Sequence, residues 1–145
     1  MAWPILSQLH TAIQVTGILV EELSPDESRA LRNRVSMIYS KGTTALFLWE
    51  YFSDCALTTN AEAWLWISDY IGNHPCLLFF FEHHAPPVFQ LNNGFDLVAL
   101  LGEMPMDEFY VTNAEASYLL CFSHHDILYA VGDAKTWLQR KLSEI

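Results

Sequence analysis

Residues 108–132 have the sequence EFYVTNAEASYLLCFSHHDILYAVG, in which three apolar runs are separated by short polar turns. The runs Glu108–Thr112, Tyr118–Ser123 and Ile127–Val131 are rich in aromatic and aliphatic residues, which favour strands. Only residues 124–126 (His-His-Asp) separate the last two runs, and so short a connection is typical of an antiparallel hairpin. This segment therefore predicts three antiparallel strands that follow one another as a meander.

The sheet is expected to continue on the N-terminal side of the meander. Cys76–Glu82 is a further strand-like run, and Val88–Leu91 is placed to pair with it. Asn93-Gly94 is a hairpin signal, but Phe95–Leu101 fits a short helix equally well, and we favour the helix. After the meander, a last helix is expected to run to Ile145 and to pack on the sheet.

Three helices are predicted ahead of these strands, over Pro4–Val15, Pro25–Ser40 and Asn60–Ile71. The second has the clearest start, because residues 24–27 (Ser-Pro-Asp-Glu) supply an N-cap, a proline in the first turn and a glutamate three residues after the cap. Residues 43–52 are apolar nearly all round and fit either a buried strand or a helix. The period of the second helix sorts its side chains into an inward group (Leu31, Val35, Ile38 and Tyr39) and a solvent group (Arg29, Arg32, Asn33 and Ser36).

Helices that come first, strands that follow and a closing helix indicate an α+β fold, in which helices cover one face of an antiparallel sheet. The length of 145 residues fits a single domain, residues 1–145. Apolar residues make up 52% of the chain and aromatic residues 14%, which excludes a disordered acidic tail and predicts a full core.

The charge is strongly negative, because seven Lys and Arg stand against 17 Asp and Glu, for a formal net charge of −10. Phosphate binding needs a density of Lys and Arg that this sequence lacks, so nucleic acid is excluded as a class of partner. A macromolecular partner, if there is one, is expected to be a basic protein.

Several features favour a cytoplasmic protein. No apolar run approaches the roughly 20 residues of a membrane-spanning helix, and no Lys or Arg precedes the first apolar segment, as it would in a signal peptide. The three cysteines, at positions 55, 76 and 121, are odd in number and far apart, so they form neither a disulfide framework nor a CxxC pair. We therefore expect a reduced, cytoplasmic chain without a membrane partner.

Two histidine pairs are the strongest indication of a metal site. His83 and His84 follow one predicted strand, and His124, His125 and Asp126 follow another, so strand ends could bring imidazoles and a carboxylate together. Adjacent residues on a strand point to opposite faces, however, so neither pair easily aims both rings at one ion. A metal-binding module or a metal-dependent enzyme is therefore the alternative hypothesis, and our first hypothesis assigns no metal.

No residue is assigned a catalytic role. The sequence lacks the GxGxxG, Walker A, HExxH and GxSxG motifs, and it indicates no cofactor. Cys121 precedes His124 by three residues, but on an extended strand they would lie about 10 Å apart at roughly 3.3 Å per residue. We expect Cys121 to be buried and the protein not to be an enzyme.

The residues expected to contact a basic partner are acidic or aromatic. Three carboxylates surround residues 104–106 (Met-Pro-Met), and methionines adapt well to a partner's surface; a solvated loop is the alternative interpretation. Glu50 and Asp54 are two further carboxylates, four residues apart. Trp66 lies on the face of its predicted element that is the better candidate for exposure, and tryptophan is enriched among interface anchors. The predicted partner-binding residues are Glu103, Asp107, Glu108, Glu50, Asp54 and Trp66.

From about Leu77 onward the chain resembles small acidic immunity proteins of bacterial polymorphic-toxin systems and their relatives. The resemblance is carried by Glu108–Val111, Tyr118–Asp126 and Ile127–Gly132, in which a strand, a His-His-Asp turn and a last strand follow one another. It implies a cytoplasmic inhibitor that binds one toxin domain and has no catalysis of its own. It assigns no binding residue by motif. A homo-oligomeric scaffold, such as a homodimer, is the third interpretation.

Overall fold

A computed structural model of the chain describes residues 4–40, 52, 54–80, 86–104 and 108–144. Ala63–Trp66 forms a 3₁₀ turn. The helices within the described residues are α1 (Pro4–Thr16), α2 (Pro25–Tyr39), α3 (Ile67–Ile71), α4 (Gly94–Leu101) and α5 (Ala134–Ser143). The strands there are β1 (Val20–Glu22), β2 (Ala56–Thr59), β3 (Cys76–Phe79), β4 (Phe89–Leu91), β5 (Phe109–Thr112), β6 (Tyr118–Phe122) and β7 (Ile127–Gly132).

The strands form one antiparallel sheet in the order β1-β4-β3-β5-β6-β7-β2. The predicted meander β5-β6-β7 is confirmed, and Phe122 lies opposite Leu128 in its hairpin. The predicted pairing of β3 with β4 is also confirmed, with Leu78 opposite Phe89. The strands β1 and β2 were not predicted; they pair with β4 and β7. Residues from the first half of the chain thus form both edges of the sheet.

The central strands β3, β5 and β6 are buried on both faces, which explains why their sequences are apolar without alternation. On one face, side chains such as Leu78 and Leu120 pack under α1, α3, α4 and α5. On the other face, side chains such as Leu77 and Leu119 pack under α2. The α+β class is therefore confirmed, but the expectation that all helices cover one face is wrong, because α2 lies on the opposite side.

The start of α2 agrees with its predicted cap. The side chain of Ser24 accepts a hydrogen bond from the N–H of Glu27 at 3.1 Å, and the carboxylate of Glu27 accepts one from the N–H of Ser24 at 3.1 Å. Leu31 and Val35 are buried as expected. The reciprocal cap satisfies two backbone donors that the helix itself leaves unpaired.

The inward stripe of α2 differs from the prediction at three positions, the buried Arg32 and Ser36 and the exposed Ile38. Nη2 of Arg32 donates a hydrogen bond to the carbonyl of Phe80 at 2.9 Å. One turn earlier, the side chain of Ser28 accepts a hydrogen bond from the N–H of Val88 at 3.0 Å. The prediction placed the polar side chains of α2 in solvent, whereas Arg32 and Ser28 on this stripe bind backbone groups beside the sheet.

The short helices α3 and α4 pack against each other. The helix predicted over Asn60–Ile71 is divided into the 3₁₀ turn and α3, while α4 confirms the helix favoured after Asn93. The side chain of Asn93 caps α4 by accepting a hydrogen bond from the N–H of Asp96 at 2.7 Å. A Cβ at Gly94 would lie 2.8 Å from Cβ of Ile71, so this close approach requires glycine. None of the helices in the described ranges has the length and apolarity needed to cross a membrane.

Candidate binding surface

The acidic segment predicted to contact a partner is only partly a surface. Glu103 is exposed in the turn after α4, and Asp107 lies outside the described residues. Met104 is only 7% exposed and belongs to the core that packs under α1 and α3 to α5. The interpretation of Met104 as a contact residue is therefore wrong, because its side chain is used for internal packing. Met106 lies outside the described residues.

Glu108 is half-buried at the start of β5, and its carboxylate makes contacts within the fold. One oxygen accepts a hydrogen bond from the hydroxyl of Tyr110 at 3.3 Å. The other lies 3.1 Å from Nδ1 of His124 in the turn between β6 and β7. Glu108 therefore connects the start of β5 with the turn between β6 and β7.

The other predicted contact residues lie against α5. Asp54 pairs with the ammonium group of Lys135 near the start of that helix. Trp66 is half-buried, and Nζ of Lys141 lies 5.6 Å from the centre of its ring, near the end of the helix. Glu50 lies outside the described residues. The described members of the predicted set thus lie beside different elements: Glu103 follows α4, Glu108 precedes β5, and Asp54 and Trp66 lie near the two ends of α5.

The His-His-Asp segment forms a tight turn. His124 and His125 are exposed, and their ring centroids are 4.0 Å apart. Asp126 adopts a left-handed conformation with φ of 61°, and its carbonyl accepts a hydrogen bond from the N–H of Asn60 at 2.9 Å. Among the described residues, no three His, Cys, Asp or Glu side chains are placed to hold a metal ion. His83 and His84 lie outside the described residues.

The cysteines are held as thiols by burial. Burial raises the pKa of Cys121 well above 9.0, and the nearby Glu108 carboxylate raises it further. Burial likewise raises the pKa of Cys76 to about 12. Cys55 is half-buried, and its pKa is also raised, mainly by burial. Because the thiolate is the nucleophilic form, these environments disfavour cysteine chemistry.

The described surface carries many more carboxylates than cations. Three arginines are exposed, at positions 29, 34 and 140. Twelve carboxylates are exposed: Glu21, Glu22, Asp26, Glu27, Asp54, Glu62, Asp69, Glu103, Glu115, Asp126, Asp133 and Glu144. Two of them, Asp54 and Asp69, are paired with lysines of α5. The excess negative charge of the sequence is thus on the surface, where it can act on a partner.

The exposed carboxylates stand closest together along the chain at β1 and the start of α2, a group that is absent from the predicted contact residues. Glu21, Glu22, Asp26 and Glu27 fall within seven residues, and all are exposed. Asp26 pairs with Arg29 at 3.2 Å. The hydrogen bond from the backbone of Ser24 lowers the pKa of Glu27. The sequence EELSPDE contains all four carboxylates, but only its last four residues carry a prediction, that of a helix cap.

Comparisons of the chain with protein-family models, with curated proteins and with solved structures found no match.

Proposed function

We propose that this chain is a non-enzymatic binding protein that holds a basic protein domain, and that it acts as a cytoplasmic immunity protein against a cognate bacterial toxin. The observation that carries the proposal is the exposed charge, with twelve carboxylates against three arginines on the described surface. A surface of this kind attracts a basic partner over a distance and repels nucleic acid and acidic proteins.

The packing of the sheet supports a rigid binding body. Strands β3, β5 and β6 are buried on both faces, between α2 on one side and four helices on the other. A surface held by such a core loses little conformational freedom when it binds, so more of the interaction energy appears as affinity. Rigid presentation of charge is what a specific inhibitor requires.

The immunity role is drawn from the resemblance of residues 108–132 to immunity proteins. Most of those residues form the strands β5, β6 and β7, so the resemblance concerns mainly the scaffold, with Glu108 as the one predicted contact residue that it includes. Toxin domains that attack nucleic acid are frequently basic. Carboxylates on the inhibitor would then occupy the positions that phosphates take in the toxin's cleft.

The test requires the cognate basic domain, which is sought among the products of the genes beside the one that encodes this chain. Growth arrest by that domain should be relieved by co-expression of the chain, and calorimetry should show equimolar, nanomolar binding that weakens as salt is raised. Binding without relief of toxicity would remove the immunity role. The metal-binding alternative would replace the proposal if the purified chain held stoichiometric metal that His124→Ala lost.

A further inference from the structure

The outer edge of β1 has no strand beside it within the described part of the chain, where β1 pairs only with β4. The N–H of Leu23 donates a hydrogen bond to the carbonyl of Val88 at 2.9 Å. Because hydrogen bonding alternates along an antiparallel pair, Glu21 and Leu23 direct their backbone groups towards β4. The N–H and C=O groups of Val20 and Glu22 therefore face outward, and such a row is a template for another strand.

The side chains of β1 indicate which strand would fit. Glu21 and Glu22 are exposed on opposite faces of the strand, and they are flanked by Val20 and Leu23, which are half-buried. A second copy of β1 fits poorly, because antiparallel pairing would place carboxylates opposite carboxylates. The other edge of the sheet, β2, has the uncharged sequence ALTT. Of the two edge strands, β1 is therefore the one whose charge is complementary to a basic segment.

A cleft lies on the face of the sheet that α2 covers, and Leu23 forms its margin nearest β1. It has a volume of about 300 Å³, and Leu23, Leu31 and Leu77 contribute to its lining together with Glu27 and Arg34. A residue opposite Leu23 in an added strand would lie against the part of the Leu23 side chain that the fold leaves exposed. An apolar side chain is favoured at that position, because it would cover exposed leucine surface.

We propose that the outer edge of β1 binds an extended basic segment of the partner by strand addition. Lys or Arg would lie opposite Glu21 and Glu22, and apolar residues would lie opposite Val20 and Leu23. Backbone hydrogen bonds would supply affinity, and the alternating side chains would supply specificity. The inference rests on the proposed function. It places the contact with the partner on a surface that includes none of the six partner-binding residues predicted from the sequence.

The probe is a synthetic capped peptide with the sequence Thr-Val-Lys-Lys-Val-Thr, titrated into the full chain and followed by NMR. The amide resonances of Val20 and Glu22 should shift, and replacing both lysines of the peptide by glutamate should weaken binding at least about tenfold. N-methylation of the peptide amides that face β1 should weaken binding at least about tenfold, because hydrogen bonds are lost. N-methylation of the amides on the opposite edge should have no effect.

Two double variants distinguish the effect of the charges on β1 from the effect of net charge on peptide binding. Glu21→Gln with Glu22→Gln should weaken peptide binding about fivefold. Glu62→Gln with Glu144→Gln makes the same change in net charge at exposed positions on other parts of the chain, and it should leave binding unchanged. Equal losses in the two double variants, or shifts confined to residues away from β1, would overturn the inference, as would equal binding of the two N-methylated peptides.

Glu22→Pro tests the edge in the complete complex. Proline removes an N–H that faces outward, so no hydrogen bond within the sheet is lost and the thermal unfolding midpoint should be nearly unchanged. Binding of the basic partner domain should fall at least about tenfold. If that domain binds the variant as tightly as the parent chain, strand addition is wrong while the proposed function stands. If no basic domain binds the parent chain, the proposed function itself fails.

Discussion

Gly132 is the last residue of β7 and has a left-handed conformation, with φ of 66°. A Cβ at this position would also collide with neighbouring atoms. That Cβ would lie 2.7 Å from the carbonyl oxygen of Ser117 and would contact the hydroxyl of Tyr39. Gly132→Ala should therefore destabilise the fold by about 3 kcal/mol, as measured by urea unfolding.

Gly17→Ala is the matched control for this substitution. Gly17 has a similar φ of 70°, but open space surrounds the position where its Cβ would be. The variant should lose only about 1 kcal/mol, the cost of the left-handed backbone alone. Equal losses at Gly17 and Gly132 would contradict the packing of Tyr39 against the end of β7.

Buried acidic groups should make the fold sensitive to alkali. Burial raises the pKa of Cys76 from 9.0 to about 12, and burial with the charge of Asp133 raises that of Tyr39 from 10.0 to about 12. The unfolded chain ionises these groups first, so their stabilisation is complete below pH 9 for Cys76 and below pH 10 for Tyr39. It is lost as the pH rises towards 12. The thermal unfolding midpoint should therefore fall over that range.

Cysteine variants test this pH dependence. Cys76→Ala should remove the part of the decline that begins near pH 9, whereas Cys55→Ala, at a half-buried position, should change the profile much less. A parent chain whose midpoint stays constant up to pH 12 would show that the thiol of Cys76 is accessible in the folded state.

Elements with local signals were predictable from the sequence, and elements defined by distant partners were not. The cap at Ser24 and the turn between β6 and β7 depend on neighbouring residues, so they were found. Strand β1 has three residues, two of them glutamates, and it exists because it pairs with β4 about 70 residues away. Strand β2 likewise depends on β7. No local propensity distinguishes these segments from loops.

The polar stripe of α2 gives a prediction at the scale of this element. Ser28→Ala removes the acceptor for the buried N–H of Val88, and it should cost about 1–3 kcal/mol of unfolding free energy. Ser7→Ala, at an exposed position of α1, should cost much less. Similar values for the two variants in chemical denaturation would mean that the Ser28 hydrogen bond does not help to hold α2 on the sheet.

At the scale of the whole molecule, the net charge was predictable but its distribution was not. Asp54 and Asp69 are paired with Lys135 and Lys141, which lie 81 and 72 residues further along the chain. Sequence spacing cannot indicate such pairs, so paired and unpaired carboxylates appeared equivalent. The predicted site consequently included Asp54 and Glu108, which make contacts within the fold, and omitted the exposed carboxylates of β1.

The excess charge should also affect stability. With a net charge of −10, the carboxylates repel one another in the folded state. Raising NaCl from about 50 mM to about 500 mM shortens the screening length, so the free energy of unfolding should increase. Glu62→Gln with Glu144→Gln should reduce that increase. A fold that salt destabilises would indicate that attractive ion pairs dominate.

The most direct test of a binding role based on surface charge is the association rate constant with the cognate basic domain. Stopped-flow fluorescence can measure it between about 50 mM and about 500 mM NaCl. We predict a fall of at least about tenfold, with a dissociation rate that changes little, because long-range attraction accelerates encounter. An association rate constant that is the same across the salt series would contradict the role assigned to the acidic surface.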